Sequence, residues 1–277
     1  MSSIQSLFSE NGYYLAKGVY DSSQLPGMQD DFDRIVQQLL ASKENINARW
    51  GSQLTRELED TDSVVYHTHN VQCYSAIWLQ ALLNPDFLDV AEEILGSDVV
   101  LHHTKLFQKP PNQGAAFPIH QDWQYFPTLQ DTMIAGMIHL TEATDHMGCI
   151  RVYPGSHHLG PQPGTMGSGE NKALAQKYPL EEATVIEAEA GDVIFFHYFT
   201  VHGSMPNRSN QTRKTVLVQL HSGEDQVEEG NSHINAKLVL RGWNHQASRT
   251  SVSTVSYTHL RAHETRHDLV CRLLLEK

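Results

Sequence analysis

The stretch of sequence that says most about the fold is Gly191-Asp-Val-Ile-Phe-Phe-His-Tyr-Phe-Thr-Val-His-Gly-Ser204. Its first part, Asp192 to Phe196, is apolar and aromatic and follows the turn signal Ala190-Gly-Asp, which predicts a short buried strand. Four other runs have the same character: Val99 to Phe107, Met133 to Leu140, Cys149 to Tyr153, and Thr215 to Leu220. Many short strands separated by turns are typical of a double-sheet jelly roll, and we predict that architecture here.

The residues before Val99 have a helical pattern instead. Apolar side chains recur near the helical period from Ser23 to Ser42 and again from Ser75 to Leu95, where Asn84-Pro85 interrupts the pattern. We therefore predict a mostly β fold with flanking helices, in which residues 1–250 form a single domain.

The composition argues against several classes of function. The formal net charge is -12, and the basic residues are scattered, which predicts no nucleic-acid partner. No apolar run approaches the roughly 20 residues of a membrane span, and Met1 to Glu10 lacks the pattern of a signal peptide. The three cysteines have no CxxC spacing, which favours a reducing compartment over a disulfide framework. The sequence thus predicts a cytoplasmic protein with no membrane partner.

The end of the chain has a different origin in our interpretation. Residues Ser256 to Lys277 resemble a translated sequencing adaptor, so we predict that 251–277 form a non-native or disordered tail. We give the three histidines of the adaptor-like stretch no functional weight. The alternative is a short C-terminal helix.

The strongest candidate site is His120-Gln-Asp122 together with His202. Side chains at i and i+2 of a strand point to the same side, so His120 and Asp122 can present two ligands to one ion, and His202 can supply a third. Two imidazoles and one carboxylate on one face are the ligand set of non-haem iron(II) oxygenases. The alternative for the HxD pair is a structural hydrogen bond between the two side chains.

Two further residues favour an organic anion next to this ion. Arg213 lies eleven residues after His202, at the start of a predicted strand. A guanidinium there can bind the remote carboxylate of 2-oxoglutarate through two parallel hydrogen bonds, a geometry that lysine does not offer. Ser204 can add a hydroxyl donor.

At these residues the sequence resembles the phytanoyl-CoA dioxygenase family. The resemblance is carried by His120-Gln-Asp-Trp-Gln-Tyr-Phe-Pro127, by Gly148-Cys-Ile-Arg-Val-Tyr-Pro-Gly-Ser-His157 and by the 191–204 stretch quoted above, and it extends more weakly from about Leu7 to about Leu220. It implies a double-stranded β-helix (cupin-like jelly roll), iron(II) held by His120, Asp122 and His202, and 2-oxoglutarate bound by Arg213 and Ser204.

The resemblance also suggests roles for less certain residues. Lys105 occupies a place where family members line the co-substrate pocket; the alternative is a solvated strand lysine. Halogenating relatives have a small residue where Asp122 stands, so the resemblance implies hydroxylation or desaturation and not halogenation. We interpret His102 and His103 as structural or exposed.

Three other groups of residues are weaker candidates. The run His67-Thr-His69-Asn70 is a faint candidate for pocket lining, and we do not include it in the site. The aromatic residues Trp123, Tyr125 and Phe126 line the substrate pocket or pack in the core. Arg151 has two interpretations. In one it pairs with an acidic substrate; in the other, which we favour, it is a surface residue.

The expected function is therefore an iron(II)- and 2-oxoglutarate-dependent dioxygenase. It would consume O2, release succinate and CO2, and hydroxylate an unactivated C–H bond of a small-molecule substrate. Two alternatives stay open: a cupin-like metal enzyme that does not use 2-oxoglutarate, and a non-catalytic binding protein of the same fold.

Overall fold

The computed structural model describes residues 3–50, 53–58, 62–163, 171–228, 230 and 233–246. Its α-helices are α1 (Ile4–Asn11), α2 (Leu25–Ser42), α3 (Gln53–Leu58), α4 (Ala76–Leu82), α5 (Pro85–Leu95) and α6 (Lys172–Lys177). Its strands are β1 (Tyr13–Ala16), β2 (Tyr66–His69), β3 (Val99–Lys109), β4 (Phe117–His120), β5 (Ile134–His139), β6 (Ile150–Val152), β7 (Thr184–Ile186), β8 (Val193–His197), β9 (His202–Ser204), β10 (Arg213–Ser222) and β11 (Leu238–Arg241). The predicted tail, 251–277, lies outside the described residues, and the single domain over 1–250 stays a prediction.

The strands form two antiparallel sheets. The large sheet has the order β1-β8-β5-β10-β3-β11, and β2 also pairs with β3. The small sheet has the order β4-β9-β6-β7. The five strands with predicted bounds are present within one or two residues of those bounds. The other six strands, including β4 at His120, had no predicted bounds.

The large sheet separates two layers of apolar side chains. Because alternate residues of a strand point to opposite faces, Val216 and Val218 pack on one side of β10 and Leu217 on the other. The first side faces the helices and contacts Phe32 and Phe87 within one buried cluster. The second side faces the small sheet. The inner faces of both sheets therefore enclose the space in which a site can form.

The break in the second predicted helix has a clear cause. The Asn84 side chain accepts hydrogen bonds from the backbone N–H groups of Asp86 and Phe87, and Pro85 occupies the first helical position. These residues start α5 anew, so the predicted stretch from Ser75 to Leu95 consists of two helices.

A β-bulge interrupts β3 where it pairs with β10. Gln219 pairs with His103 and Leu220 with Leu101, which leaves His102 as an extra residue. Consecutive strand residues normally point to opposite faces, but here the rings of His102 and His103 both pack on Phe126, with centroids 5.4 and 5.3 Å away. The bulge thus turns two adjacent histidines to the inside of the barrel.

No helix among the described residues has both the length and the apolar character needed to cross a membrane.

Candidate active site

The small sheet brings the three predicted metal ligands together. His120 at the end of β4 pairs directly with His202 at the start of β9, and their ring centroids are 4.2 Å apart. Asp122 follows β4, and its Oδ1 lies 3.5 Å from His120 Nε2 and 3.8 Å from His202 Nε2. Neighbouring ligands of one ion bound at ~2.1 Å are ~3 to 3.4 Å apart, so the three groups fit a single metal ion.

Backbone carbonyls orient both imidazoles. His120 Nδ1 lies 2.8 Å from the oxygen of Pro118, and His202 Nδ1 lies 2.8 Å from the oxygen of Thr200. Because a carbonyl only accepts, each Nδ1 carries the hydrogen, and each Nε2 keeps a lone pair directed at Asp122. This is the arrangement that protein metal sites use to fix the tautomer of a ligating histidine.

Gln219 holds the carboxylate of Asp122. Its Nε2 donates to Asp122 Oδ2 at 3.0 Å, which leaves Oδ1 facing the two histidines. Gln219 lies on β10 with the same inward direction as Arg213, six residues away. Residues an even number of positions apart on a strand share a face, so the predicted inward direction of Arg213 could have predicted that Gln219 also points into the cavity.

The protonation states of the triad suit a cation. Burial would raise the pKa of Asp122, but the neighbouring His120, His202 and Lys105 side chains keep that pKa below its usual value. Burial lowers the pKa of His202 to about 4, and the neighbouring His120 contributes to that shift. At neutral pH the triad therefore offers a carboxylate and a neutral His202 imidazole.

Arg213 lines the same cavity as the triad. It is 3% exposed, and its Nη1 donates to the backbone oxygen of Gly148. Its Nε has no hydrogen-bond partner, and within the described part of the chain no carboxylate forms an ion pair with it. Burial lowers its pKa to about 10, so the guanidinium stays charged at neutral pH. A buried cation without a counterion fits an anionic ligand.

Ser204 and Lys109 lie close to Arg213. Ser204 Oγ accepts a hydrogen bond from Lys109 Nζ at 2.7 Å, which leaves the hydroxyl hydrogen free to donate to a ligand. Lys109 pairs with Arg213 across β3 and β10 and is fully buried. Sequence reasoning missed Lys109, although its strand parity matches that of Lys105.

Lys105 lies further along the cavity than Arg213. It pairs with Leu217, four residues from the Lys109 and Arg213 pair, which corresponds to ~13 Å along the strand. It is half-buried and lines the cavity. This position favours a role in the cavity over the alternative of a strand lysine that faces bulk solvent.

The cavity has a volume of about 320 Å³. Trp50 covers His120, with ring centroids 4.7 Å apart, and Tyr125 and Phe117 also line the cavity. Trp50 comes from a loop without periodicity, so no sequence signal pointed to it. Of the three predicted aromatic residues, Tyr125 lines this cavity, while Trp123 and Phe126 pack in an apolar cluster with Tyr198 and Phe199.

The structure corrects three interpretations of individual residues. His67 and His69, left out of the predicted site, line the cavity because β2 pairs with β3 and points both inward. His103, interpreted as structural or exposed, is buried, and its ring centroid lies 5.9 Å from that of His69. Arg151, expected at the surface, is buried, and its Nη2 donates to Asp145 at 2.8 Å.

Comparisons with known proteins agree with this geometry. The family model described as "Phytanoyl-CoA dioxygenase (PhyH)" matches residues 8–215. A probable phytanoyl-CoA dioxygenase of Caenorhabditis elegans is 27% identical over 226 residues, which cover 76% of this chain and 71% of that protein. L-Proline trans-4-hydroxylase of Streptomyces griseoviridis is 27% identical over 188 residues, which cover 58% and 69%.

A solved structure supports the fold. The non-heme alpha ketoglutarate dependent epimerase SnoN from nogalamycin biosynthesis superposes with a TM-score of 0.66 at 20% identity, covering 86% of this chain and 97% of that one. At this identity the likeness concerns the fold alone, and the predicted jelly roll is confirmed.

Proposed function

Because the chain belongs to the phytanoyl-CoA dioxygenase (PhyH) family, we propose that it is an iron(II)- and 2-oxoglutarate-dependent dioxygenase that hydroxylates a small organic substrate. The observation that carries the proposal is that one cavity joins the His120, Asp122 and His202 triad to the Arg213 guanidinium. A metal site alone would also suit a cupin-like enzyme. A buried cation without a counterion in the same cavity favours an anionic co-substrate.

In this proposal His120, Asp122 and His202 hold the metal. When bound, iron(II) and 2-oxoglutarate supply the oxidising chemistry, in which O2 is consumed, succinate and CO2 are released, and a substrate C–H bond becomes C–OH. These three side chains would hold the ion, and the rest of the cavity would hold the co-substrate and O2. Asp122 supplies a carboxylate where a halogenase needs room for halide, so we propose hydroxylation.

Arg213 and Ser204 bind the remote carboxylate of 2-oxoglutarate in this proposal. Arg213 contributes a planar fork and a full positive charge. Lys109 donates to Ser204 and thereby directs the serine hydrogen away from itself. Because Lys109 also adds positive potential, the two strands present a site for an anion before the co-substrate arrives.

Lys105 has a different position along the barrel. Its register, four residues from the Arg213 level, is too far for the two side chains to share one carboxylate. The charge of Lys105 instead acts on Asp122. We propose that Lys105 lies at the metal end of the cavity and does not bind the remote carboxylate of 2-oxoglutarate.

The cavity limits the size of the substrate. Ligand pockets commonly have volumes of roughly 300 to 1,000 Å³, and this one, at about 320 Å³, has to hold the co-substrate as well. A small molecule fits this space better than a long acyl chain. The likeness to an L-proline hydroxylase supports the same size class.

The test is succinate formation by iron-loaded protein given 2-oxoglutarate and air. The parent is compared with His120→Ala and Arg213→Ala, and His146→Ala and Arg208→Ala are matched controls because both residues are exposed and outside the cavity. We expect succinate from the parent and both controls and only background from the two site variants. Metal binding without succinate, and without any spectral change on adding 2-oxoglutarate, would favour the cupin-like alternative.

A further inference from the structure

One wall of the cavity carries basic and imidazole side chains that the proposed chemistry does not use. We call His69, His103, Lys105 and His233 the basic wall. Strand pairing places His69 directly beside Lys105, the β3 bulge turns His103 inward, and His233 approaches from the chain before β11. The nitrogens of the three histidines lie within 4.8 Å of one another.

The basic wall has hydrogen-bonding capacity that the protein itself does not satisfy. His103 is 1% exposed, and its Nδ1 lies 2.5 Å from His102 Nδ1, but its Nε2 has no partner. The Nε2 of His69 is also buried and without a partner. Buried polar atoms of this kind are rare and costly unless a ligand completes them.

The charge of the wall favours an anion over a cation. Within the described part of the chain, Lys105 forms no ion pair, and the nearby Asp122 carboxylate is engaged by Gln219 and the triad. Burial lowers the pKa of His69 to about 3 and that of His233 to about 4. Burial lowers the pKa of the Lys105 ammonium, and the Asp122 carboxylate raises it. The wall therefore combines this ammonium with neutral imidazoles, which can donate N–H bonds to an anion. A metal ion bound here would be repelled by the positive charge of the Lys105 ammonium.

The wall and Arg213 lie at different levels of the barrel. Lys105 and His103 pair with Leu217 and Gln219, whereas Arg213 pairs with Lys109. Gln219 contacts Asp122, so the triad lies near the level of the basic wall. A group bound at the wall is therefore next to the metal ligands and remote from the site of the distal carboxylate of 2-oxoglutarate.

We propose that the primary substrate carries an anionic group, a carboxylate, which the Lys105 ammonium and the His69 and His103 imidazoles bind. This inference rests on the proposed function. Trp50, Phe117 and Tyr125 line other parts of the cavity. Their aromatic side chains contact the compact apolar part of this substrate. The substrate class is thus a small carboxylic acid whose C–H bonds are held beside the triad.

The experiment measures binding to protein loaded with iron(II) and 2-oxoglutarate under nitrogen, so that no turnover occurs. Two pairs of probes differ only in charge: cyclopentanecarboxylate with cyclopentanecarboxamide, and acetate with acetamide. Titration calorimetry gives their dissociation constants. We expect cyclopentanecarboxylate to bind at least about tenfold more tightly than its amide, because a charge-assisted hydrogen bond is lost in the amide.

Variants test whether the basic wall causes the preference for the carboxylate over the amide. Lys105→Met is expected to weaken cyclopentanecarboxylate binding about tenfold or more, and His69→Phe severalfold, because each removes a donor to the carboxylate. The matched control is Lys237→Met, since Lys237 is exposed and outside the cavity. A circular-dichroism spectrum and a melting curve like those of the parent show that Lys105→Met is folded.

Several outcomes overturn the inference. They are equal affinity for acid and amide, acid affinity that is unchanged in Lys105→Met, and no acid binding up to about 50 mM. Competition between the acid and 2-oxoglutarate would show that the wall binds the co-substrate. A second metal ion per chain that is lost in His69→Phe would show that the wall binds a cation. If 2-oxoglutarate itself fails to bind before any probe is added, the proposed function fails, and this inference fails with it.

Discussion

Replacing Arg213 tests the proposed co-substrate site most directly. The guanidinium is buried, and its Nε lacks a partner, so a carboxylate can receive two hydrogen bonds from it. Hydrogen bonds to charged groups contribute roughly 1.5 to 3 kcal/mol each, and each 1.4 kcal/mol is about tenfold in affinity. Arg213→Lys keeps the charge but loses the fork, so we expect about 10- to 100-fold weaker binding of 2-oxoglutarate. Arg213→Met loses both bonds, and we expect a loss of roughly 10² to 10⁴.

The assay separates co-substrate binding from metal binding. Titration calorimetry of 2-oxoglutarate into nickel-loaded protein gives its affinity without turnover, and metal analysis gives the occupancy of the triad. Metal occupancy should be the same in the parent and both variants, because Arg213 contacts no ligand of the triad. The KM for 2-oxoglutarate in the succinate assay should rise in the order parent, Arg213→Lys, Arg213→Met.

Thermal stability gives an independent readout. Without co-substrate, Arg213 is a buried cation, and the cost of burying an ion is several kcal/mol even after relaxation. Removing it offsets the lost hydrogen bond to Gly148, so ligand-free Arg213→Met should melt no lower than the parent. Added 2-oxoglutarate should raise the melting temperature of the parent and not of the variant. An affinity of Arg213→Met within threefold of the parent would refute the assignment of Arg213.

Three other predictions concern the triad and the histidines. Gln219→Leu removes the hydrogen bond to Asp122, and metal affinity should fall at least about tenfold in a competition titration; an unchanged affinity would show that Asp122 needs no support. In Gly203→Ala the new Cβ would lie 2.7 Å from the backbone oxygen of Phe117, so β4 and β9 should separate, and both metal affinity and melting temperature should drop. Burial lowers the pKa of His139 to about 4, below its unfolded value. The unfolded chain therefore binds more protons, and stability should fall as pH drops from about 6.5 towards 4, by up to about 2 kcal/mol at pH 5 from this residue. Equal melting temperatures at pH 5 and 7 at one ionic strength would contradict that sign.

The parts of the structure that depend on local pattern were predictable. The apolar runs of β8 and β10 predicted strands, and the HxD spacing predicted that His120 and Asp122 meet at one ion, although β4 ends at His120 and Asp122 follows it. Pairing of β4 with β9 then brings His202 opposite His120. The position of Arg213, eleven residues after His202 at the start of a predicted strand, predicted a cation next to the triad. These features need only strand periodicity and turn signals.

The parts that depend on irregular backbone were not predictable. The bulge that turns His102 and His103 inward adds one residue to a strand whose sequence still reads as regular. The short strand β2 depends on its pairing with β3, because its sequence, Tyr66-His-Thr-His69, has no apolar alternation. Trp50 and His233 reach the cavity from loops, where side-chain direction is set by tertiary packing and not by period.

The two sheets contribute different residues to the proposed site. The small sheet carries His120 and His202, which backbone carbonyls orient, and Ser204. The large sheet carries the charged and imidazole side chains proposed to bind organic anions: Arg213 on β10, Lys105 and His103 on β3, and His69 on β2. Substitutions on the inner face of β2 and β3 can therefore change which carboxylate binds while the orientation of the metal ligands stays the same. Lys105 and Gln219 lie on the large sheet but also affect the metal site. Lys105 acts electrostatically on Asp122, and Gln219 donates a hydrogen bond to it. Changes there should alter substrate binding and metal binding together, whereas His69→Phe should alter substrate binding alone.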